Sequence, residues 1–153
     1  MQELNKLTSL DLTNQNVFIV GKPASGKTFL SNFLHKMFTE HIVIHTDDFI
    51  KKEFLLADEL TNIVNRKKKY ILEGNKAYTI LKEIDKSIYP NIIIDLIVSD
   101  THVLDIYKKE RDVNKYDMAL GFYYYRKNEL DKFLSTNKNQ IIYYCFNQVY
   151  ACR

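Results

Sequence analysis

Five short runs of apolar residues punctuate the chain: Val17-Phe18-Ile19-Val20, His41 to Thr46 around Ile42-Val43-Ile44, Tyr70-Ile71-Leu72, Ile92 to Val98, and Ile141 to Phe146. They are continuously apolar rather than alternating, which is the pattern of strands covered on both faces, as in a parallel sheet. Between them the spacing of apolar positions changes to threes and fours. Phe29, Leu30, Phe33, Leu34, Met37 and Phe38 predict an amphipathic helix over residues 27–39. Phe54, Leu56, Leu60, Ile63 and Val64 predict a second, running up to Arg66-Lys67-Lys68-Lys69, and Ile80, Leu81, Ile84 and Ile88 a third that Pro90 ends. Val103, Leu104 and Tyr107 open a fourth that reaches about Arg111; after a polar stretch a long helix follows from about Tyr116 to Leu134. Leu4, Leu7, Leu10 and Leu12, closed by Asn14-Gln15-Asn16, read as an N-terminal packing segment over residues 1–16 that covers one sheet edge. Strands alternating with helices predict an α/β fold.

Composition narrows the class. At 153 residues the chain is one domain by size. Lys and Arg total 22 against 19 for Asp and Glu, a surplus too small to argue for duplex DNA or an anionic membrane, while an anionic small substrate fits. The segment Met1-Gln2-Glu3-Leu4-Asn5 has no basic region leading into an apolar core, and no apolar run approaches a membrane span, so the expectation is a cytoplasmic protein. Heavy use of Lys, Asn and Ile suits an AT-rich genome; for a viral chain the compartment is the host cytoplasm. Cys145 and Cys152 lie close together near the C-terminus, where a disulfide would close almost no chain, and they are expected to be free thiols. Of the basic residues 18 are lysine, leaving arginine only at Arg66, Arg111, Arg126 and Arg153, so each planar fork invites a reason.

The chemistry begins at Gly21-Lys22-Pro23-Ala24-Ser25-Gly26-Lys27-Thr28, a complete G-x-x-x-x-G-K-[ST] loop placed directly after the first apolar run and before the first helical one. In that context successive backbone N–H groups and the positive end of a helix aim at one point, which suits a polyphosphate. Lys27 is expected to reach the β- and γ-phosphates of ATP, and the Thr28 hydroxyl to take one position on a bridging Mg²⁺. Gly21, Asp47, Glu73 and Asp100 all fall at the carboxyl ends of expected strands, where ligands of parallel sheets collect, so they should converge on one cleft.

Three segments then carry a resemblance: loop 21–28, Asp47-Asp48-Phe49 after the second strand, and Lys108-Lys109-Glu110-Arg111-Asp112. In order and spacing, from about residue 17 to 147, the chain resembles small P-loop kinases of the nucleoside and polynucleotide kinase type, uridine-kinase-like enzymes among them. The resemblance implies the three-layer P-loop NTPase fold: a five-stranded parallel sheet of order 2-3-1-4-5, helices on both faces, and a small lid over about 108–127. It also implies that Asp47 is the general base toward the acceptor hydroxyl, and that lid arginines close over the triphosphate. Many such kinases have Gly where this chain has Ala24, which implies a stiffer loop here.

Each candidate has a structural alternative. A carboxylate at Asp47 can accept the proton lost by an attacking hydroxyl, or it can cap the next helix. Asp48 can take the capping role, or hold Mg²⁺ through water, and Phe49 falls on the acceptor side. Glu73 can orient metal-bound water or contact the acceptor, or simply complement the dipole of a helix starting near Lys76. Gly74 lets the backbone turn sharply there, and Lys76 and Tyr78 are placed to line the acceptor pocket. Arg111 and Arg126 suit a transferring phosphoryl group, or a surface ion pair with Glu110, Asp112 or Glu129. Lys108, Lys109 and Lys115 can supplement them. Tyr123-Tyr124-Tyr125, with Tyr116 and Phe122, can stack a base or fill a core. The run from Arg66 to Lys69 reads as a solvated helix end, and His35, His41, His45 and His102 show no metal-ligand spacing with either cysteine.

The expected function is therefore ATP- and Mg²⁺-dependent transfer of the γ-phosphate to a hydroxyl of a nucleoside, a nucleotide or a polynucleotide 5′ end. The partner is a small-molecule or oligonucleotide acceptor, and a homodimer is compatible with the sequence. Three rivals remain: a nucleoside monophosphate kinase, for which only Arg66 lies between Thr28 and Lys109 as an acceptor-site arginine; a motor, packaging or switch ATPase; and a silent nucleotide-binding regulator.

Overall fold

A computed structural model describes residues 10–49, 52–137 and 140–147. Five strands, β1 (Val17–Gly21), β2 (Ile42–His45), β3 (Tyr70–Glu73), β4 (Ile92–Ile97) and β5 (Ile142–Asn147), form one sheet in the order β2-β3-β1-β4-β5. Every pairing is parallel. The central strands are buried along their whole length on both faces, which explains their unbroken apolar sequences.

The helices are α1 (Lys27–Met37), α2 (Glu53–Asn65), α3 (Ala77–Ile80), α4 (Asp100–Glu110) and α5 (Tyr116–Asn137). α1 buries Leu30 and Leu34 against Val17, Ile19, Ile71, Ile92 and Ile94 on one face of the sheet. On the other face Leu56, Leu60 and Ile63 of α2, Tyr78 and Ile80 of α3, and Tyr123 and Leu130 of α5 meet Phe18, Val20, Tyr70, Leu72 and Ile93. Complete burial of each such aliphatic side chain contributes about 1.5–3 kcal/mol. α4 and the start of α5 close a small separate core at the carboxyl edge from Val98, Val103, Tyr107 and Leu120.

One expectation changes. The third helical pattern does not form one helix: after the single turn of α3 the chain bends, and a 3₁₀ turn at Lys86–Ile88 is capped by Asp85, whose carboxylate accepts the Lys86 N–H at 2.7 Å. Of the N-terminal segment, residues 10–16 are described, and the Gln15 carbonyl lies 2.7 Å from Nε2 of His41, just ahead of edge strand β2. Leu12 is fully buried and packs with Leu10 on the α1 face, among residues of β1, β3 and β4; Leu4 and Leu7 lie outside the described residues. Among the described residues Cys145 is a free thiol, and Cys152 lies outside them. No helix among the described residues is long and apolar enough to cross a membrane.

Candidate active site

The loop between β1 and α1 turns as its sequence requires. Gly26, at φ +93°, lies in the left-handed region and starts α1 without a side-chain cap, and the first turn carries no acid. α4, by contrast, is capped by Ser99, whose hydroxyl accepts the His102 N–H at 3.1 Å. The first amides of α1 are thus left to an outside acceptor, as an anion-binding helix end demands. Lys27 folds back over the loop, its ammonium donating to the carbonyls of Gly21 at 3.1 Å and Lys22 at 2.9 Å. Burial pushes its pKa down to about 8, an effect opposed by Glu73 and Asp47 and reinforced by Arg111. A triphosphate would reverse that shift by supplying countercharge.

The loop opens into a cleft of about 600 Å³. Residues 23 to 28 form its floor, Asp47 and Glu73 stand at the ends of β2 and β3, and the segment from the end of α4 into α5 forms its roof with Arg111, Asp112, Lys115, Met118, Phe122 and Arg126. The expected convergence of strand ends therefore holds for Asp47 and Glu73. Neither guanidinium forms an ion pair among the described residues; Arg111 lies over the Tyr107 ring and Arg126 over Phe122, each at 5.4 Å, and Glu129 is taken instead by Lys82. Glu73 is buried, its Oε1 accepting from the Thr28 hydroxyl at 3.3 Å. The same oxygen is 2.7 Å from His45 Nδ1. Gly74, directly after it, has φ +125°, and a Cβ there would lie 2.0 Å from Thr46 Oγ1, so the strand can end in this bend only with glycine.

Hard oxygen donors at Thr28 and Glu73, with Asp47 across the cleft, match Mg²⁺ chemistry. The same arrangement, with the uncapped amides of α1 above Lys27, fits a magnesium-bound triphosphate.

Several expected site residues are elsewhere. Asp47 and Asp48 share a 3₁₀ turn, Thr46–Phe49, in which successive side chains step about 120° around the axis. Asp47 consequently reaches the cleft and Asp48, although exposed, does not line it. Neither acid caps α2, whose N-cap is Lys52 with no side-chain bond. Phe49 leaves the acceptor side and packs against the core beneath α2. The Lys22 side chain turns from the cleft to Asp100, 2.7 Å away, and to the Val98 carbonyl at 2.8 Å. Asp100 is therefore withdrawn from the expected convergence and is also bound by the Tyr124 hydroxyl. Gly21 contributes only its backbone, to Lys27 and to Tyr78. Of the clustered aromatics, Phe122 lines the cleft, while Tyr123 is buried edge-on against Tyr78. In the sequence His45 shows only an absence of metal-ligand spacing; its signal lies in the pairing of β2 with β3, which aligns it with Glu73.

No protein-family model matches the chain, and no curated protein does. Among solved structures, a gluconokinase from Sinorhizobium meliloti 1021 is similar over 84% of this chain and 98% of its own, with a TM-score of 0.51 at 9% identity. The fold is that of a P-loop NTPase. A deoxyadenosine kinase from M. mycoides, with dATP bound, is similar over 87% of this chain and 91% of its own, with a TM-score of 0.48 at 12% identity. At such identities the likeness concerns the fold, and in this P-loop fold the cleft occupies the usual place of ligands beyond the carboxyl ends of parallel strands.

Proposed function

We propose that the chain is an ATP- and Mg²⁺-dependent phosphotransferase that moves the γ-phosphate to a hydroxyl of a nucleoside, a nucleotide or a polynucleotide 5′ end. The observation that carries this reading is the meeting, in one cleft, of an uncapped phosphate loop, a carboxylate at Asp47 and the guanidinium groups of Arg111 and Arg126, which form no ion pair among the described residues. Residues 23 to 28 bind the triphosphate, Lys27 meets its terminal end, and Thr28 holds Mg²⁺ with Glu73 behind it. Bound magnesium neutralises charge on the transferring group. Asp47 accepts the proton of the attacking hydroxyl, and Arg111 and Arg126 close over the phosphates from the roof. Phe29, Met118 and Phe122 are about half exposed on the cleft, an apolar wall that favours an acceptor with a flat base over a polyol. The structurally similar gluconokinase is itself a kinase, in agreement with this reaction class.

The rivals lose specific support. Arg66 ends α2 just ahead of β3, at the amino end of the sheet and away from the cleft, so a monophosphate acceptor has no arginine of its own there. An ATPase would need its acids side by side, whereas only one of Asp47 and Asp48 lines the cleft.

Incubation with labelled ATP against nucleosides, nucleotides and 5′-hydroxyl oligonucleotides tests the proposal. Acceptor-dependent transfer is expected, abolished by Lys27→Ala and lowered roughly 100-fold or more by Asp47→Asn with ATP binding kept. Hydrolysis that requires oligomerisation and ignores every hydroxyl acceptor would overturn it.

A further inference from the structure

His45 and Glu73 are register partners in adjacent parallel strands, so their side chains leave the same face of the sheet, the face covered by α1. Strand pairing alone brings them within about 5 Å at the backbone; the side chains then close to 2.7 Å between Nδ1 and Glu73 Oε1. The Glu73 side chain is 6% exposed and that of His45 32%. A carboxylate withdrawn from water needs donors, and one on a two-methylene stem needs them in fixed directions if it is to act reproducibly. Among the described residues Glu73 has two: the Thr28 hydroxyl from α1 and the imidazole from the edge strand, both on the same oxygen. An ionised carboxylate can only accept, so the imidazole presents Nδ1–H to it.

We propose that His45 is a positioning residue of the reaction: its Nδ1–H holds the Glu73 carboxylate against Thr28, at the metal-binding end of the phosphate loop. This rests on the phosphotransferase reading of the cleft. His45 does not line the cleft itself and acts only through Glu73. The arrangement has the form of an outer partner that orients an inner oxygen donor, and loss of such a partner typically costs 10- to 100-fold.

The test uses the full chain with His45→Ala, His45→Asn and Glu73→Gln. Asparagine places an amide N–H close to the position of Nδ1, so it can restore the bond without the ring. Three quantities are read: kcat and KM for the acceptor, and the calorimetric affinity for ATP with and without Mg²⁺. His45→Ala is expected to lower kcat by roughly tenfold or more with acceptor KM unchanged, and to shrink the affinity gained from Mg²⁺ by a similar factor. His45→Asn should recover most of both, and Glu73→Gln should lose the magnesium gain. The proposal is overturned if His45→Ala keeps kcat and the magnesium gain, or if His45→Asn is as impaired as His45→Ala, which would make the ring a packing element. Should His45→Ala fail to fold, the comparison of His45→Asn with Glu73→Gln decides. If the variants follow the expected magnesium pattern but the wild type phosphorylates no acceptor, the placement of His45 stands and the phosphotransferase reading falls.

Discussion

The hydroxyl of Tyr78 accepts the backbone N–H of Gly21 at 2.7 Å, so the first residue of the phosphate loop is fixed by a side chain from α3. Tyr78 is 2% exposed and does not line the cleft. Burial raises its pKa well above that of a free phenol, and the hydroxyl stays protonated across the working range. Tyr78→Phe preserves the edge-on contact with Tyr123 but leaves the Gly21 amide without an acceptor. A loss of about 1–3 kcal/mol in urea unfolding is expected, with weaker Mg·ATP binding because the loop is no longer pinned. Unchanged stability would show that the amide finds another acceptor.

Lys27 gives the site a dependence on pH. Its pKa in the folded chain, about 8, lies below the 10.5 of an exposed lysine. Between those values the unfolded chain binds more protons, so this group makes stability rise with pH over roughly 8 to 10.5 and penalises the fold below that window. Lys27→Met should accordingly stabilise the ligand-free protein at pH 7, by roughly 1–2 kcal/mol after allowance for solvent screening, and the advantage should vanish above pH 10.5. Binding runs the other way. The triphosphate requires the ammonium, so Mg·ATP affinity should fall above pH 8 by up to about tenfold per pH unit, with proton uptake visible as a buffer-dependent heat.

Ala24 occupies the left-handed region at φ +61°. A side chain there costs about 1–2 kcal/mol relative to the right-handed region, partly offset by the lower entropy of unfolded alanine against glycine. Ala24→Gly is expected to raise stability by about 0.5–1 kcal/mol in denaturant titration, without loss of the loop conformation. A destabilised variant would mean that the methyl group packs usefully enough to outweigh its strain.

The parallel strands and the phosphate loop are legible in the sequence because each is a local signal: unbroken apolar runs for buried strands, and Gly26-Lys27-Thr28 for a turn into a helix. The stretch from Ile80 to Ile88 is not. Ile80, Leu81, Ile84 and Ile88 are all buried as their spacing suggests, yet the backbone reaches that burial with a turn and a capped 3₁₀ segment. Periodicity reports which side chains face the core, not which hydrogen bonds connect them. In the site, Asp47 is legible as a strand-end acid, whereas the outward aim of Asp48 and the inward aim of Phe49 depend on the pitch of one 3₁₀ turn. Lys22 is drawn away by Asp100, 78 positions along the chain, and His45 meets a partner 28 positions away. No spacing rule within a strand or helix can register such pairs.

α5 carries Arg126 over the cleft and Lys127 beside it on the sheet side. Lys127 Nζ lies 2.9 Å from Asp95 Oδ2, and the Tyr143 hydroxyl donates to the same oxygen. Asp95 is 2% exposed, and its second oxygen has no hydrogen-bond partner among the described residues. Removing the lysine leaves a buried carboxylate with only a phenol to face it, so Lys127→Met should destabilise the fold by about 3 kcal/mol. A second change, Asp95→Asn, removes the stranded charge and should return much of that loss, because the penalty comes from the unpaired carboxylate and not from the missing bond. The pair ties α5 to β4 one residue beyond Arg126, so its loss is expected to loosen the placement of Arg126 over the cleft. Lys127→Met alone should therefore weaken Mg·ATP binding beyond what its loss of stability explains, measured well below the unfolding transition. A double variant no more stable than Lys127→Met would show that the lysine contributes mainly through the packing of its stem.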